Sequence, residues 1–234
     1  MTTQRRLPKI VKAAGNAEPG VILDDLREVS VLQLEPEASV DGVLVDKADM
    51  SGCRASSVRF NDMGLRSVDL SSSDLRGLRF SDVLGESVNA ANASWRGVQM
   101  RRVTFDSSTL VGIDLAESAL TATTFSACKL DLANLRMSTI EDVVFVGCSL
   151  READLLGATL RTVRFAGCDL ESADFTKATL EMVDVRTSNI GTIRGVASLK
   201  GAIVDGSQLI DLAPALAVEL GIRVERPDDD DEID

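Results

Sequence analysis

Apolar side chains recur at every fifth position through most of this 234-residue chain. The series begins at Val40 and reaches Ile190 without an insertion or deletion, and none of its members is polar. All seven Phe residues and the single Trp of the protein lie on it. A second series, two residues before each member of the first, carries mostly small side chains, among them all four Cys. No charged residue occupies either series, so both are expected to face a core.

A period of five excludes the regular elements that hydrophobic patterns usually indicate. The apolar stripe of an α-helix follows 3.6 residues per turn, and a flat strand alternates every two residues. A period of five instead predicts a chain that turns a corner once per repeat, with two side chains inside and three outside. Four such sides close a coil of about twenty residues, and coils stack at the strand spacing of about 4.8 Å.

Columns of like residues at a spacing of twenty support this coil. Aromatic rings repeat on one side, small thiols repeat on the next, and the faces differ in side-chain size. Gly85 interrupts the aromatic column, and we expect Trp95, on the opposite wall, to fill the space it leaves. The residues predicted to form the structural core are Phe60, Phe80, Trp95, Phe105, Phe125, Phe145, Phe165, Phe175, Cys128, Cys148 and Cys168.

Segments such as Ser73-Asp74-Leu75-Arg76-Gly77 and Ala153-Asp154-Leu155-Leu156-Gly157 carry a small residue, then Asp, then Leu. This pattern resembles the motif of the pentapeptide-repeat family. The resemblance implies an all-β fold, a right-handed quadrilateral β-helix of about 8 coils with a short C-terminal α-helical cap. Some bacterial members of that family resemble duplex DNA, bind DNA gyrase or topoisomerase IV, protect against quinolones, and form dimers through C-terminal elements.

The pattern divides the chain into four segments. Residues 1–37 are predicted to cap the N-terminal end, residues 38–195 to form the β-helix, and residues 196–224 to form a final coil and helical cap. Residues 225–234 hold an acidic run and are predicted to be a disordered tail. Within the helical cap we expect Ser207 at the N-cap, a kink or break at Pro214, and a stop at Gly221.

Little catalytic chemistry is available in this sequence. The chain has no His, the usual general base and the commonest metal ligand. The Cys spacing places each thiol one coil above the last, inside the core, and the Asp residues at the corners are typical of turn positions. We therefore expect no enzyme activity, no catalytic residue, no cofactor and no metal. The net charge of −12 argues against direct binding to nucleic acid. No apolar run approaches membrane-spanning length, so a cytoplasmic protein is expected.

Two groups of apolar residues are candidates for an interface. Val144 and Val146 flank Phe145 at outward positions of the aromatic wall. In the C-terminal segment an apolar stripe either caps the last coil alone or also pairs two subunits into a homodimer; its members are Leu209, Leu212, Leu216 and Leu220.

Two functional hypotheses follow. The first is a protein-binding or scaffolding solenoid whose partner is unknown. The alternative, implied by the family resemblance, is a DNA mimic that binds DNA gyrase and confers resistance to gyrase poisons. Residues 38–192 carry 16 basic and 21 acidic side chains, a net charge of only −5. A DNA mimic needs a coherent acidic face, so the first hypothesis is favoured.

Overall fold

The computed structural model describes residues 19–30 and 32–224 as a parallel β-solenoid of about nine turns. Its fourteen strands form one sheet, and residues pair with partners twenty positions further along, as in Phe60 with Phe80. The predicted β-helix is confirmed. It has about nine turns rather than eight because a strand at each end, outside the five-residue pattern, extends the ladder. Residues 1–18 of the predicted N-terminal cap and the predicted tail, 225–234, lie outside the described residues.

The elements follow one another along the coil, with two 3-10 helices and one α-helix near the ends. The N-terminal half contains η1 (Leu23–Asp25), β1 (Arg27–Val29), β2 (Ser39–Asp41), β3 (Val43–Asp46), β4 (Arg59–Arg66), β5 (Arg79–Glu86), β6 (Gln99–Asp106) and β7 (Ala119–Ser126). The C-terminal half contains β8 (Thr139–Glu141), β9 (Val144–Val146), β10 (Thr159–Arg161), β11 (Arg164–Ala166), β12 (Thr179–Glu181), β13 (Val183–Asp184), η2 (Val196–Leu199), β14 (Ala202–Ile203) and α1 (Gly206–Glu219).

The four walls of the coil differ in regularity. Each wall is centred on members of the five-residue apolar series that are twenty positions apart. Wall 1 starts at Val40, wall 2 at Val45, wall 3 at Met50 and wall 4 at Ala55. Walls 1 and 2 carry all the repeat-region strands, and β4 to β7 each run through the corner between them. Walls 3 and 4 are joined by isolated parallel bridges between turns.

Every corner uses a left-handed backbone. From Gly42 to Thr187, every fifth residue has a positive φ, and most of these residues are not glycine. A side chain in this conformation costs roughly 1–2 kcal/mol per residue. The stacking of coils through backbone hydrogen bonds must offset that cost, because the chain cannot otherwise turn four corners in twenty residues.

The aromatic column on wall 2 forms a stack. Phe125 and Phe145 lie with ring centroids 5.0 Å apart, and Phe145 and Phe165 lie 4.9 Å apart. At Gly85, a Cβ would lie 2.5 Å from Cδ1 of Phe105, so the ring of Phe105 occupies the space nearest this glycine. The fully buried Trp95 lies beside that ring, with centroids 6.3 Å apart. The space left by Gly85 is therefore filled by the ring of Phe105, and the indole of Trp95 packs against that ring instead of filling the space itself.

The C-terminal helix differs from its prediction in two respects. Its N-cap is Asp205 and not Ser207, because the carboxylate of Asp205 accepts the Gln208 amide while the Gln208 side chain accepts the Asp205 amide. This reciprocal arrangement is a capping box. The helix also continues through Pro214 without breaking into two. At its end, Gly221 has a φ of +68° and its amide donates to Val218, as in a Schellman motif.

Candidate interaction surfaces

A column of side-chain donors runs along wall 3 and continues into the helical cap. Each donor bonds to the carbonyl oxygen of the wall 2 residue that precedes it by 23 positions. Cys148 donates to Phe125 at 3.3 Å, and Ser188 donates to Phe165 at 3.1 Å. The members of this donor column are Cys128, Cys148, Cys168, Ser188 and Gln208.

Gln208 gives this column its last member although it belongs to α1. Its amide nitrogen donates to the carbonyl oxygens of Val185, at 2.8 Å, and Ser188, at 2.7 Å. Both carbonyls belong to the last coil of the five-residue repeat, beyond which β14 continues the ladder at Val183 and Asp184. Gln208 is buried, and its two hydrogen bonds attach the helix to the C-terminal end of the β-helix.

The opposite side of α1 is apolar and exposed. Ile210 is 74% exposed and Val218 is 81% exposed, and a groove of about 640 Å³ lies between them. The residues that line this groove are Ile210, Ala213, Pro214, Ala217, Val218, Ile222 and Val224, and we call them the outer face of α1. Contiguous exposed apolar surface of this kind is typical of a contact with another molecule.

The four leucines predicted as an interface stripe lie in two different environments. Leu212 is buried in the core cluster, and Leu216 packs against the same cluster. Leu209 is 53% exposed and Leu220 is 72% exposed, and both line a second groove, of about 530 Å³, between α1 and η2. Leu212 and Leu216 thus serve the cap, whereas Leu209 and Leu220 are open to contact.

Val144 and Val146 both lie on wall 2, as their spacing predicts. Val146 is partly buried, but Val144 is only 1% exposed although its position in the repeat directs it outward. Two described residues near the N-terminus, Leu23 and Leu26, also pack on the outside of this wall, against Gly64. On wall 2, Val144 is therefore inaccessible to a partner, and Leu23 and Leu26 cover the surface at Gly64.

The buried thiols have packing and hydrogen-bonding roles. All four cysteines are free, and the three in the donor column are buried. The neighbouring thiols of Cys128 and Cys168, together with burial, raise the pKa of Cys148. Burial likewise raises the pKa of the half-buried Cys53. Among the described residues, no group of three His, Cys, Asp or Glu side chains is arranged to hold a metal ion.

Acidic side chains on the surface are extensively paired with arginines. Arg102 donates through two nitrogens to Asp82, and this hydrogen bonding lowers the pKa of the carboxyl. Arg186 makes the same two-pronged contact with Asp184, at 2.9 and 2.8 Å, with the same effect on its pKa. Further pairs join neighbouring coils, as Arg136 does with Asp154. Many of the acidic groups on the walls are therefore neutralised locally by arginines.

The sequence analysis missed two features of this end of the molecule, and each left a signal. Asp205 and Gln208 have the spacing of a capping box, which identifies the true start of α1. Ile210, Ala213 and Ala217 repeat at helical spacing on the side opposite Leu212, which marks a second apolar face of the helix. None of the helices within 19–30 and 32–224 combines the length and apolar character needed to cross a membrane.

Comparison with solved structures finds other proteins built from pentapeptide repeats. A trypsin-treated variant of QnrB1, a plasmid-mediated fluoroquinolone resistance protein, is 18% identical over 86% of this chain and 97% of its own, with a TM-score of 0.39. HetL, involved in heterocyst differentiation regulation in Nostoc sp. strain PCC 7120, is 15% identical over 72% of this chain and 90% of its own, with a TM-score of 0.34. A protein of the Arabidopsis thaliana thylakoid lumen is 22% identical over 48% of this chain and 65% of its own, with a TM-score of 0.27.

No curated protein matches the sequence. Two family models match it: a pentapeptide repeat region at residues 118–194, and eight copies of pentapeptide repeats at residues 99–136. Both lie inside the stretch where the five-residue pattern, the twenty-residue register and the left-handed corners coincide. Residues 99–194 of this chain therefore match the pentapeptide-repeat family.

Proposed function

We propose that this chain is a non-enzymatic, protein-binding solenoid that contacts its partner through the outer face of α1. The observation that carries this proposal is the exposure of Ile210 and Val218, at 74% and 81%, on either side of one apolar groove at the C-terminal end of the solenoid. Exposed branched apolar side chains on one helix face are costly in water, and a partner surface removes that cost.

A second copy of this chain is the partner that this face fits best. The outer face presents both projecting side chains, Ile210 and Val218, and the apolar groove between them. A two-fold axis places the same patch of both subunits together, so one patch must supply both the projections and the depressions. Because α1 is held to the last coil by Gln208, the two rods would meet end to end with a defined orientation.

The proposal is tested by the mass of the protein in solution. We expect the wild-type chain to sediment as a dimer, and the double variant Ile210→Asp with Val218→Asp to sediment as a monomer with an unchanged circular dichroism spectrum. Leu132→Asp is the matched control, because Leu132 is also an exposed apolar residue, 56% accessible, but lies on wall 3. A monomeric wild type that also captures no other protein through this face would overturn the proposal.

Gyrase binding by DNA mimicry is the second candidate, and the net charge of −12 is the observation that favours it. Against it stand the ion pairs, such as Arg102 with Asp82 and Arg151 with Asp169, which neutralise acidic groups along the walls. A DNA mimic requires unpaired negative charge at regular spacing. We therefore expect the purified chain at micromolar concentration to leave gyrase supercoiling unaffected, and inhibition of supercoiling would reverse this preference.

A further inference from the structure

We propose that wall 1 carries a binding site for a short acidic segment of a partner protein, in the groove between Arg79 and Arg101. The site lies on the coils centred on Phe80 and Met100, well before the helical cap. It is a second interaction surface and does not depend on the contact proposed above for α1.

The strands of wall 1 arrange their outward side chains in two columns, one on each side of the buried central residues. Arg59, Arg79 and Gln99 follow one another in the first column, because their backbones pair in register from coil to coil. Ser81 and Arg101 pair in the same way in the second column. Arg79 and Arg101 therefore lie diagonally across the line of centres, with their backbones about 8 Å apart.

The groove between these columns is suited to an anion. It has a volume of about 290 Å³ and lies over the buried side chains of Phe80 and Met100. Its polar lining residues all carry a group that donates hydrogen bonds, and none of the lining residues in the described part of the chain is acidic. These polar residues are Arg79, Ser81, Gln99, Arg101 and Thr121. A ligand with negatively charged acceptor oxygens therefore matches the groove, and a cationic ligand does not.

The two arginines of the groove form no ion pair with a carboxylate of residues 19–30 and 32–224. The carboxylate of Asp82 is close enough to interact electrostatically with Arg101, but it accepts hydrogen bonds from two nitrogens of Arg102. The groove therefore presents guanidinium charge to solvent, whereas many other arginines of the walls are neutralised by a neighbouring carboxylate.

The positive surface is short along the solenoid. Arg59 lies one coil before Arg79 in the same column, and its side chain donates to a main-chain oxygen at 3.4 Å. From Arg59 to Arg101 the surface spans two coil steps, or about 10 Å. Two coils beyond Arg101 the outward residues of wall 1 become acidic, at Glu141 and Asp142. The charge on this wall therefore limits the length of an anionic ligand.

An extended acidic peptide fits these dimensions. A segment of three or four extended residues covers about 10 Å. Within it, carboxylates at alternate positions lie on the same side, about 6.7 Å apart, which is close to the diagonal separation of Arg79 and Arg101. Each guanidinium can bind a carboxylate through two parallel hydrogen bonds. The partner segment is therefore expected to contain two acidic residues separated by one other residue.

A nucleic acid fits the same surface less well. Duplex DNA is longer than the positive surface, so its phosphates would also meet the acidic side chains of Glu141 and Asp142. The net charge of −12 adds a repulsion that grows with the number of charges on a polyanion. A short peptide with few charges avoids both costs, and it is therefore the occupant assigned to the groove.

Fluorescence anisotropy of a labelled hexaglutamate peptide, titrated with the full chain, tests the assignment. We expect saturable binding at about 20 mM salt that weakens at about 200 mM, because the interacting charges are exposed. In the double variant Arg79→Gln with Arg101→Gln, the affinity is expected to fall at least about tenfold. Both substitutions change exposed side chains, so the circular dichroism spectrum is expected to stay that of the wild type.

The matched control is the double variant Arg54→Gln with Arg164→Gln. These two arginines occupy outward positions on walls 4 and 2, and they too form no ion pair within the part of the chain that the structure describes. The control removes the same amount of positive charge, so it measures the loss of long-range attraction alone. We expect its affinity for the peptide to stay within about twofold of the wild type.

Absence of peptide binding at about 20 mM salt would overturn the proposal, and so would an equal loss of affinity in the two double variants. Competition with unlabelled ligands identifies the occupant. If inorganic phosphate or a DNA duplex of about 20 base pairs displaces the peptide at a lower concentration than unlabelled hexaglutamate does, the assignment to a peptide is wrong. A loss confined to the variant of Arg79 and Arg101, with unlabelled hexaglutamate as the strongest competitor, supports it.

Discussion

The side-chain amide of Gln208 donates to the carbonyl oxygen of Val185 across 23 residues, the same separation that joins each donor of wall 3 to its acceptor on wall 2. A residue of the helix therefore occupies the next position of the donor column after the five-residue repeat has ended. The cap is aligned with the coils by the register of the β-helix itself.

Replacement of Gln208 by Leu is expected to loosen the last coil. The carbonyls of Val185 and Ser188 would lose their side-chain donor, at a cost of about 2–3 kcal/mol in local free energy of unfolding. Hydrogen exchange at the amides of Val185 and Asn189 measures this loss directly. Asp211→Asn, an exposed change one turn further along the same helix, serves as the control. Unchanged exchange in the Gln208 variant would show that the helix is held by its apolar contacts alone.

Trp95→Ala is expected to lower the free energy of unfolding by about 3–5 kcal/mol. The indole is fully buried, lies against Phe80 and Phe105, and donates from Nε1 to the Ser73 hydroxyl at 3.1 Å. Ser73→Ala removes only that acceptor and is expected to cost about 1 kcal/mol. Urea denaturation followed by circular dichroism measures both, and a loss near zero for Trp95→Ala would contradict the packing described.

The native chain is expected to expose at most one reactive thiol. Cys128, Cys148 and Cys168 are buried in the donor column, whereas Cys53 is only half-buried. Because a reagent must reach the sulfur to react with it, the burial of these three thiols protects the column from labelling. Ellman's reagent should therefore label one thiol slowly in the native chain and all four after denaturation, and Cys53→Ser should abolish the native signal. Rapid labelling of two or more native thiols would be inconsistent with the column.

The free energy of unfolding is expected to change little between about pH 5 and 8, because the chain has no His to titrate in that range. It is expected to fall below about pH 4, where carboxylates become protonated. Hydrogen bonds from arginines lower the folded-state pKa of Asp82 and Asp184 below the ordinary value for an aspartate. A lowered folded pKa gives stability that is present above the unfolded pKa and is lost as pH falls through the folded one.

Thermal unfolding at a series of pH values checks this expectation. Asp184→Asn removes one of the titrating groups, so its melting temperature should fall less steeply between about pH 4 and 2 than that of the wild type. A decline in the wild type between pH 8 and 5 would require a titrating group that these pairs do not supply.

The repeat could be predicted from sequence because each coil repeats the same physical requirement. An inward position tolerates only apolar or small side chains, so Phe125 and Phe145 reveal the twenty-residue register without structural information. The sequence predicts the space at Gly85, but it does not predict that the ring of Phe105 fills it, because the tilt of that ring depends on local packing.

The ends were harder to predict for a different reason. An apolar stripe indicates that one helix face is buried, but α1 is apolar on both sides. Only the position of Gln208 against the last coil determines that Leu212 is inside and Ile210 outside. Likewise, Pro214 was expected to break the helix, yet its ring lies on the exposed side, where the carbonyl of Ile210 loses its helical donor next to solvent.

The twenty-residue register also bears on how the chain is made. Ladder partners such as Phe60 and Phe80 are separated by one coil, so each new coil pairs with a neighbour that has already left the ribosome. Synthesis can therefore add coils in order from the N-terminus, without waiting for distant partners. At the last growing edge β14 pairs with β13, and Gln208 then binds the carbonyls of Val185 and Ser188, so α1 completes the covering of an edge that could otherwise recruit another chain.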